Sequence, residues 1–339
     1  MNLKKGVFIL QRPISVIGYS AVAGALEQEG PLKGKFDKVF SGDTDGAKTF
    51  EQAESKMQLY VAKKAIKKAN LQTREIDVAF AGDLLNQCTG SSYGLCSLNI
   101  PFIGLYGACS TMAESVLVAA MFLETSLVNT ALAVTSSHFC AAERQFRFPL
   151  EYGGQRPLSA QWTATASGAL VLSNSCEEST VGKIRIKAVC VGAICDLGVK
   201  DINNMGAAMA PAAADTIAKF FNFTNTSAID YDLILTGDLG EIGTILLNKI
   251  IENYGYSFKG KHSDCGLLLF DRNKQDVHAG GSGCGCSAAV LCADVLNRIK
   301  EGKLKKVLFV ATGALMSTVS NKQGETIPSI AHLIFLESD

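Results

Sequence analysis

The feature that most restricts how this chain can fold is an internal repeat. The segment Ile76-Asp-Val-Ala-Phe-Ala-Gly-Asp-Leu84 returns as Tyr231-Asp-Leu-Ile-Leu-Thr-Gly-Asp-Leu239, each an apolar run stopped by Gly-Asp. A run that is apolar throughout reads as a strand covered on both faces, and Gly-Asp as the turn that ends it. The likeness extends to both sides of the pair. Ahead of the first copy, Met57, Tyr60, Val61, Ala65 and Ala69 recur at helical spacing across Glu51 to Leu71, with Thr49-x-x-Gln52 as a capping box; Pro211 to Phe221 holds the same place ahead of the second copy. After the copies, Cys109-Ser-Thr-Met-Ala-Glu114 and Cys286-Ser-Ala-Ala289 each open an apolar helix, followed by strands at Thr130 to Ser136 and Lys306 to Thr312. Each half closes on a further strand, Gly168 to Leu172 or His332 to Leu336. The order strand, helix, strand, helix, strand, strand thus occurs twice and predicts an α/β fold of two related halves, 1–176 and 177–339. The boundary falls between Asn174 and Gly182, where Ser, Glu and Thr collect.

Composition narrows the function classes. With 47% hydrophobic and 19% charged residues in 339, the chain has enough apolar surface for large cores, which excludes global disorder. Lysine and arginine number 32 against 32 acids, so the electrostatic case for binding nucleic acid is missing. The start, Met1 to Leu10, has no extended apolar segment and does not read as a signal peptide. The apolar stretch Val116 to Val134 is broken by Glu124 and Asn129 and reads as a buried helix and strand, not a membrane span. Eleven cysteines, scattered without a framework, favour reduced and mostly buried thiols. The Gly and Ala richness of Gly192 to Ala214 and Ala279 to Ala289 marks either close backbone approach, between the halves or around a ligand, or tight helix packing.

Cys109 is the leading candidate for chemistry. A thiol at the start of a helix faces unpaired N–H groups and the positive end of the dipole, which favour the thiolate; a buried small hydrophobe is the alternative. His138, just past the strand Thr130 to Ser136, is its best candidate partner, as proton acceptor or as a cation for a carboxylate. The loop beyond carries Arg144, Arg147 and Arg156 among Phe146, Phe148, Tyr152 and Trp162, a set suited to a flat carboxylate ligand or to a solvated surface. Cys284, Cys286, Cys292 and His278 lack paired metal-ligand spacing, and Gly280-Gly-Ser-Gly283 lacks the ending of a phosphate loop, so neither metal nor cofactor is expected. Asp83 and Asp238 stand at equivalent strand ends, most simply as repeated turn residues.

The duplicated order, with Cys109 in Gly107-Ala-Cys-Ser110 opening the central helix of the first half, resembles the thiolase and ketoacyl-synthase superfamily over essentially the whole chain. That resemblance implies a five-layered αβαβα sandwich, usually a homodimer, in which the cysteine takes up an acyl group from a thioester. Three strings are similar to a sporulation branch of the superfamily found in spore-forming Firmicutes: Ser137-His-Phe-Cys-Ala-Ala-Glu-Arg-Gln-Phe-Arg-Phe-Pro-Leu-Glu-Tyr-Gly-Gly154, Met205-Gly-Ala-Ala-Met-Ala-Pro-Ala-Ala-Ala-Asp215 and Thr236-Gly-Asp-Leu-Gly240. This likeness implies a dipicolinic-acid-binding component of the SpoVA machinery, peripheral at the inner spore membrane, with other SpoVA proteins as partners.

Departures from active condensing enzymes fit a binding role. The superfamily's histidine would fall near Gly237 and its asparagine near Gly285, and neither side chain is present; the Gly-His-Pro motif of thiolases is also missing. Cys109 then remains as a vestigial nucleophile. The expected ligand, dipicolinate or its calcium chelate, would lie at Cys109 with Ser137 and His138 as donors and Arg144, Arg147 or Arg156 balancing charge; Ser136 and Thr165 are secondary wall positions. Two other readings stay open, an active acyltransferase or thioesterase using Cys109 and a structural dimer with a vestigial pocket.

Overall fold

In the computed structural model, which describes residues 6–146, 156–175 and 184–338, strand β1 (Val7–Ala23) ties the two halves together. Its later residues pair antiparallel with β5 (Ala166–Ser173), and its first residues with β6 (Ile184–Cys190). The register breaks between Ile9 and Ile14, so one strand serves two sheets that would otherwise be separate.

The main elements of the first half are α1 (Phe50–Lys68), β2 (Val78–Gly82), α2 (Thr89–Leu95), β3 (Phe102–Gly104), α3 (Thr111–Glu124), β4 (Thr130–Ser137) and α4 (Phe139–Phe146), ahead of β5. After β6 the second half holds α5 (Met205–Thr224), β7 (Leu233–Thr236), α6 (Gly240–Asn253), β8 (His262–Asp264), α7 (Cys284–Val290), β9 (Lys306–Ala314) and β10 (Ser329–Ser338). Across the sheet the first half runs β3-β2-β4-β5-β1 and the second β8-β7-β9-β10-β6, the same permutation. Strand senses repeat as well. In each half the middle strand of the parallel trio has a parallel neighbour on either side, and the last two pairings are antiparallel.

Alternation along the strands explains the layers. Ala131 and Ala133 of β4 face the same core as Val307, Phe309 and Ala311 of β9, together with Met112, Val116 and Ala120 of α3 and Ala288 and Ala289 of α7. Leu132 and Val134 point the other way, against Met57, Val61 and Ala65 of α1. Leu308 and Val310 do the same against Met209, Ala213 and Ile217 of α5. The outcome is helix, sheet, central helices, sheet, helix, the five-layered sandwich that the resemblance implies.

Several local expectations are refined. Thr49 caps α1 by accepting from the Gln52 amide, while Gln52 reaches back to the Lys48 N–H instead of the cap residue's own. The second outer helix starts at Met205 and not at Pro211, because Asn204 caps it and Pro211 lies inside. Each half also carries an edge strand, β3 or β8, that was too short to read from periodicity. In the glycine-rich stretches, tight helix packing and close approach between the halves both occur, at different places. A Cβ on Gly206 would lie 2.5 Å from the Leu239 carbonyl, so that glycine serves helix packing; one on Gly285 would lie 2.3 Å from the Ala166 carbonyl, where the halves meet. The expected boundary near residue 176 lies outside the described residues, as do Arg147, Phe148 and Tyr152.

Candidate functional site

Cys109 sits on a tight turn that the sequence builds from Gly107 to Thr111. Ala108 takes a left-handed conformation with φ of 50°, uncommon for a residue with a Cβ and a frequent mark of functional turns. The turn is closed by Ser110 Oγ donating to the Gly107 carbonyl at 2.7 Å and Thr111 Oγ1 donating to the Ala108 carbonyl at 2.6 Å. Strand β9 comes down on it from the other half. A Cβ on Gly313 would lie 2.2 Å from the Gly107 carbonyl.

A narrow cleft of about 30 Å³ opens over the thiol. Leu84, Ala108 and Cys109 form one wall, and Ala142, Glu143 and Phe146 of α4 another. The second half contributes Met205, Ser282, Ala314 and Met316, with Thr163 beside Ser282 on a pair of two-residue strands. This space holds about one water molecule. Cys109 is 5% exposed at its floor.

Asp238, expected only as a turn residue, is the charged group that meets Cys109. Its Oδ2 accepts from Ser282 Oγ and from the Gly283 N–H, both at 2.9 Å, and its Oδ1 accepts from Thr312 Oγ1 at 2.8 Å. Ser282 Oγ is in turn 3.8 Å from Cys109 Sγ. Burial first, and then the neighbouring Asp238 carboxylate, push the Cys109 thiol well above its ordinary range. This corrects the expectation of a thiolate. The residue lies ahead of the cap, Ser110, and the loss of solvation outweighs the helix dipole. Asp83, the repeat partner of Asp238, does act in its turn, accepting from the Leu85 N–H at 2.8 Å and from the Ser91 N–H at 2.7 Å.

The other expected site residues are engaged elsewhere. His138, 1% exposed, bonds through Nε2 to the Asp43 carbonyl at 2.6 Å and lies beside Phe50. Burial lowers its pKa, and it does not line the cleft at Cys109, so it does not act as that thiol's partner. Ser136 donates to Glu54 at 2.8 Å, and Ser137 to the Ala164 carbonyl at 2.6 Å. Arg144 pairs with Glu51 on the far side of α4, and Arg156 reaches the Asp276 carbonyl at 2.6 Å while covering the ring of Trp162. Thr165 lines a separate cavity of about 270 Å³ with Glu27, Asp43, Phe139 and Trp162. Only Cys109 of the expected set therefore reaches the cleft among the described residues; Arg147 falls outside them. Asp238 and Ser282 were missed, although the repeated Gly-Asp pair was the signal that could have found the first.

Among the described residues no histidine lines the cleft, and no cluster of three or more His, Cys, Asp or Glu could hold a metal ion. Gly285 has no room for any side chain, with the Ser137 N–H also 2.6 Å from where its Cβ would be.

Residues 4–337 match the family described as stage V sporulation protein AD. The stage V sporulation protein AD of Bacillus subtilis strain 168 is 45% identical over 333 residues, covering 98% of this chain and 97% of that protein. Among solved structures, 3-oxoacyl-[acyl-carrier-protein] synthase III of Aquifex aeolicus is similar with a TM-score of 0.59 at 13% identity, covering 96% of this chain and 99% of that one. A variant of Xanthomonas campestris OleA gives 0.60 at 14% identity, with 97% and 100% covered. These two likenesses speak to the thiolase-like fold.

Proposed function

Because this chain belongs to the stage V sporulation protein AD family, we propose that it is a dipicolinic-acid-binding component of the spore's SpoVA machinery. In this role it takes part in moving dipicolinate and its calcium chelate across the inner spore membrane, inward during sporulation and outward during germination. The observation that carries a binding role over a catalytic one is the pairing at Cys109. The nucleophile position is kept, but the group facing it is Asp238, a carboxylate already engaged by Ser282, the Gly283 N–H and Thr312, whose charge raises the Cys109 pKa where an imidazolium would favour the thiolate. A positioned acid or base typically contributes about 10²- to 10⁴-fold, and among the described residues no histidine lines the cleft to take that role.

The cleft at Cys109 is the proposed entry to the ligand site. Dipicolinate is a flat pyridine ring with two carboxylates and needs several times the room that the cleft offers. Phe146, Met205 and Met316 must therefore move aside, which the unbranched methionines do readily. Arg144 and Arg156 are committed to Glu51 and Asp276, which leaves Arg147 as the arginine we assign to the ligand's charge. Isothermal titration with dipicolinic acid should show saturable binding that Arg147→Ala weakens by at least tenfold; equal affinity in that variant would remove Arg147 from the site.

The protein acts as a homodimer in this reading. Edge strand β3 presents Phe102 and Ile103, 39% and 40% exposed, along an unpaired edge beside Tyr106. Such an edge calls for a covering partner. Membrane association is peripheral and runs through the SpoVA partners; among the described residues no helix is long and apolar enough to cross a membrane. The catalytic alternative draws support from the likeness to condensing enzymes. A stoichiometric acyl adduct on Cys109 after incubation with acyl-CoA would favour it over the binding role.

A further inference from the structure

Beyond its first turn, the outer face of α1 carries charge of one sign. Its inward positions, Ala53, Met57, Val61, Ala62, Ala65 and Ile66, are buried against the first sheet. Glu54 is buried too, bonded to Ser136, and Glu51 pairs with Arg144. Every charged residue of the helix after Glu54 is a lysine: Lys56, Lys63, Lys64, Lys67 and Lys68. Lys68 pairs with Asp37, whereas Lys56, Lys63, Lys64 and Lys67 have no ion pair among the described residues. Lys56, Lys63 and Lys67 are exposed and, at spacings of seven and four, share one stripe that runs about 16 Å along the helix.

This arrangement works against the helix in isolation. Lys63 with Lys67, and Lys64 with Lys68, are like charges one turn apart, a destabilising placement in water. The chain as a whole carries no net charge, and the opposite outer layer mixes signs, with Asp215 paired to Lys219 on α5 and Glu241, Lys249 and Glu252 on α6. Beside the stripe lies α2, which has no charged residue. It is drawn close by Gly94, whose Cβ would be 2.8 Å from the Ser55 carbonyl, and by Ser55 Oγ donating to the Gly90 carbonyl at 3.0 Å. Tyr93 of α2, 74% exposed, adds an aromatic ring with a polar tip to the same layer. A row of unpaired lysines beside an exposed tyrosine suits the headgroup region of an anionic bilayer, where each cation gains from the surface potential and the ring settles at the interface.

We propose that the α1 lysine stripe, Lys56, Lys63 and Lys67 with Tyr93 alongside, is a contact surface for anionic phospholipid, so that the protein touches the bilayer directly as well as through partner proteins. This rests on the reading of peripheral membrane association. It orients the sandwich with its first outer layer against the membrane.

Co-sedimentation of the purified protein with phosphatidylglycerol vesicles, beside vesicles of phosphatidylcholine alone, tests it. The unmodified protein should bind the anionic vesicles, lose binding as salt is raised and ignore the neutral ones. The combined Lys56→Ala, Lys63→Ala and Lys67→Ala variant should lose about a hundredfold in affinity, at roughly fivefold per lysine near the surface. Lys249→Ala on the opposite layer should change nothing. These lysines are exposed, so an unaltered melting temperature certifies the fold of the variant. Equal binding by the triple variant, or no binding by the unmodified protein, would overturn the stripe while leaving attachment through partner proteins intact. Tighter retention on a DNA duplex at the same ionic strength would assign the stripe to nucleic acid and equally overturn it. The peripheral reading itself fails on a different result, absence of the protein from the membrane fraction of disrupted spores.

Discussion

Cys109 and Asp238 come from opposite halves of the repeat and meet through Ser282 at the floor of the cleft. Here the second group is a carboxylate fixed by Ser282, the Gly283 N–H and Thr312. Burial and that charge together keep Cys109 in its thiol form. The first half supplies the turn and its thiol, and the second half supplies the carboxylate that raises the thiol's pKa.

Replacing Asp238 by Asn should release part of that restraint. The amide preserves shape and can still accept from Thr312, but its charge is gone, so the Cys109 pKa falls while the burial contribution stays. A lower pKa means more thiolate at any given pH below it. Alkylation of Cys109 by iodoacetamide, followed by mass spectrometry of its peptide across pH 7 to 10, should run severalfold faster in Asp238→Asn. An unchanged profile would mean that Asp238 does not set the state of the thiol.

The packing at Gly285 leaves no room for a side chain. A Cβ there would collide with the Ala166 carbonyl and the Ser137 N–H, both backbone atoms on neighbouring strands. Gly285→Ala should cost about 3 kcal/mol, at the upper end for overpacking, measured by urea unfolding. A variant as stable as the parent would show that the halves separate here more easily than their packing indicates.

Glu27 offers a pH test of the first half. Burial raises its pKa to about 7, against the lowering effect of hydrogen bonds that include the Thr165 N–H at 2.9 Å. A raised carboxyl favours folding below its unfolded pKa, near 4.5, and that contribution is lost as pH climbs to about 7. Glu27→Gln keeps an acceptor for Thr165 without the charge. The melting temperature of the variant relative to the parent should therefore rise between pH 4.5 and 7 and level off above, by up to about 3 kcal/mol of stability. A constant difference across that range would contradict a buried, titrating Glu27.

The proposed dimer makes its own demand on β3. Ile103→Asp places a charge on the exposed edge and should leave a monomer at micromolar concentration by sedimentation velocity. A parent chain that is itself monomeric would remove the dimer, and an unaffected dimer would move its interface away from β3.

Much of the architecture is readable before any coordinates, because the repeat exposes it. Val78 to Ala81 and Leu233 to Leu235 are apolar runs stopped by Gly-Asp, the pattern of strands covered on both faces. The edge strands escape such reading. Phe102–Gly104 and His262–Asp264 have three residues each, too few for any period to show. The site was less legible for another reason. Cys109 announces itself through its turn, yet Asp238 is distant in sequence and carries the same Gly-Asp signature as Asp83, which only closes a turn. His138 misled because chain position brings it to a strand end, whereas its ring direction is decided by the Asp43 carbonyl. Pairings across the two halves depend on tertiary packing that spacing along one chain does not encode.

The most direct measurement is isothermal titration of the purified protein with dipicolinic acid, with and without calcium, alongside Cys109→Ala. The account predicts saturable binding that loses at least tenfold in affinity when the Cys109 side chain is removed, with the melting temperature of the variant unchanged. No binding by the parent, or the same affinity in the variant, would contradict a dipicolinate site at the Cys109 cleft.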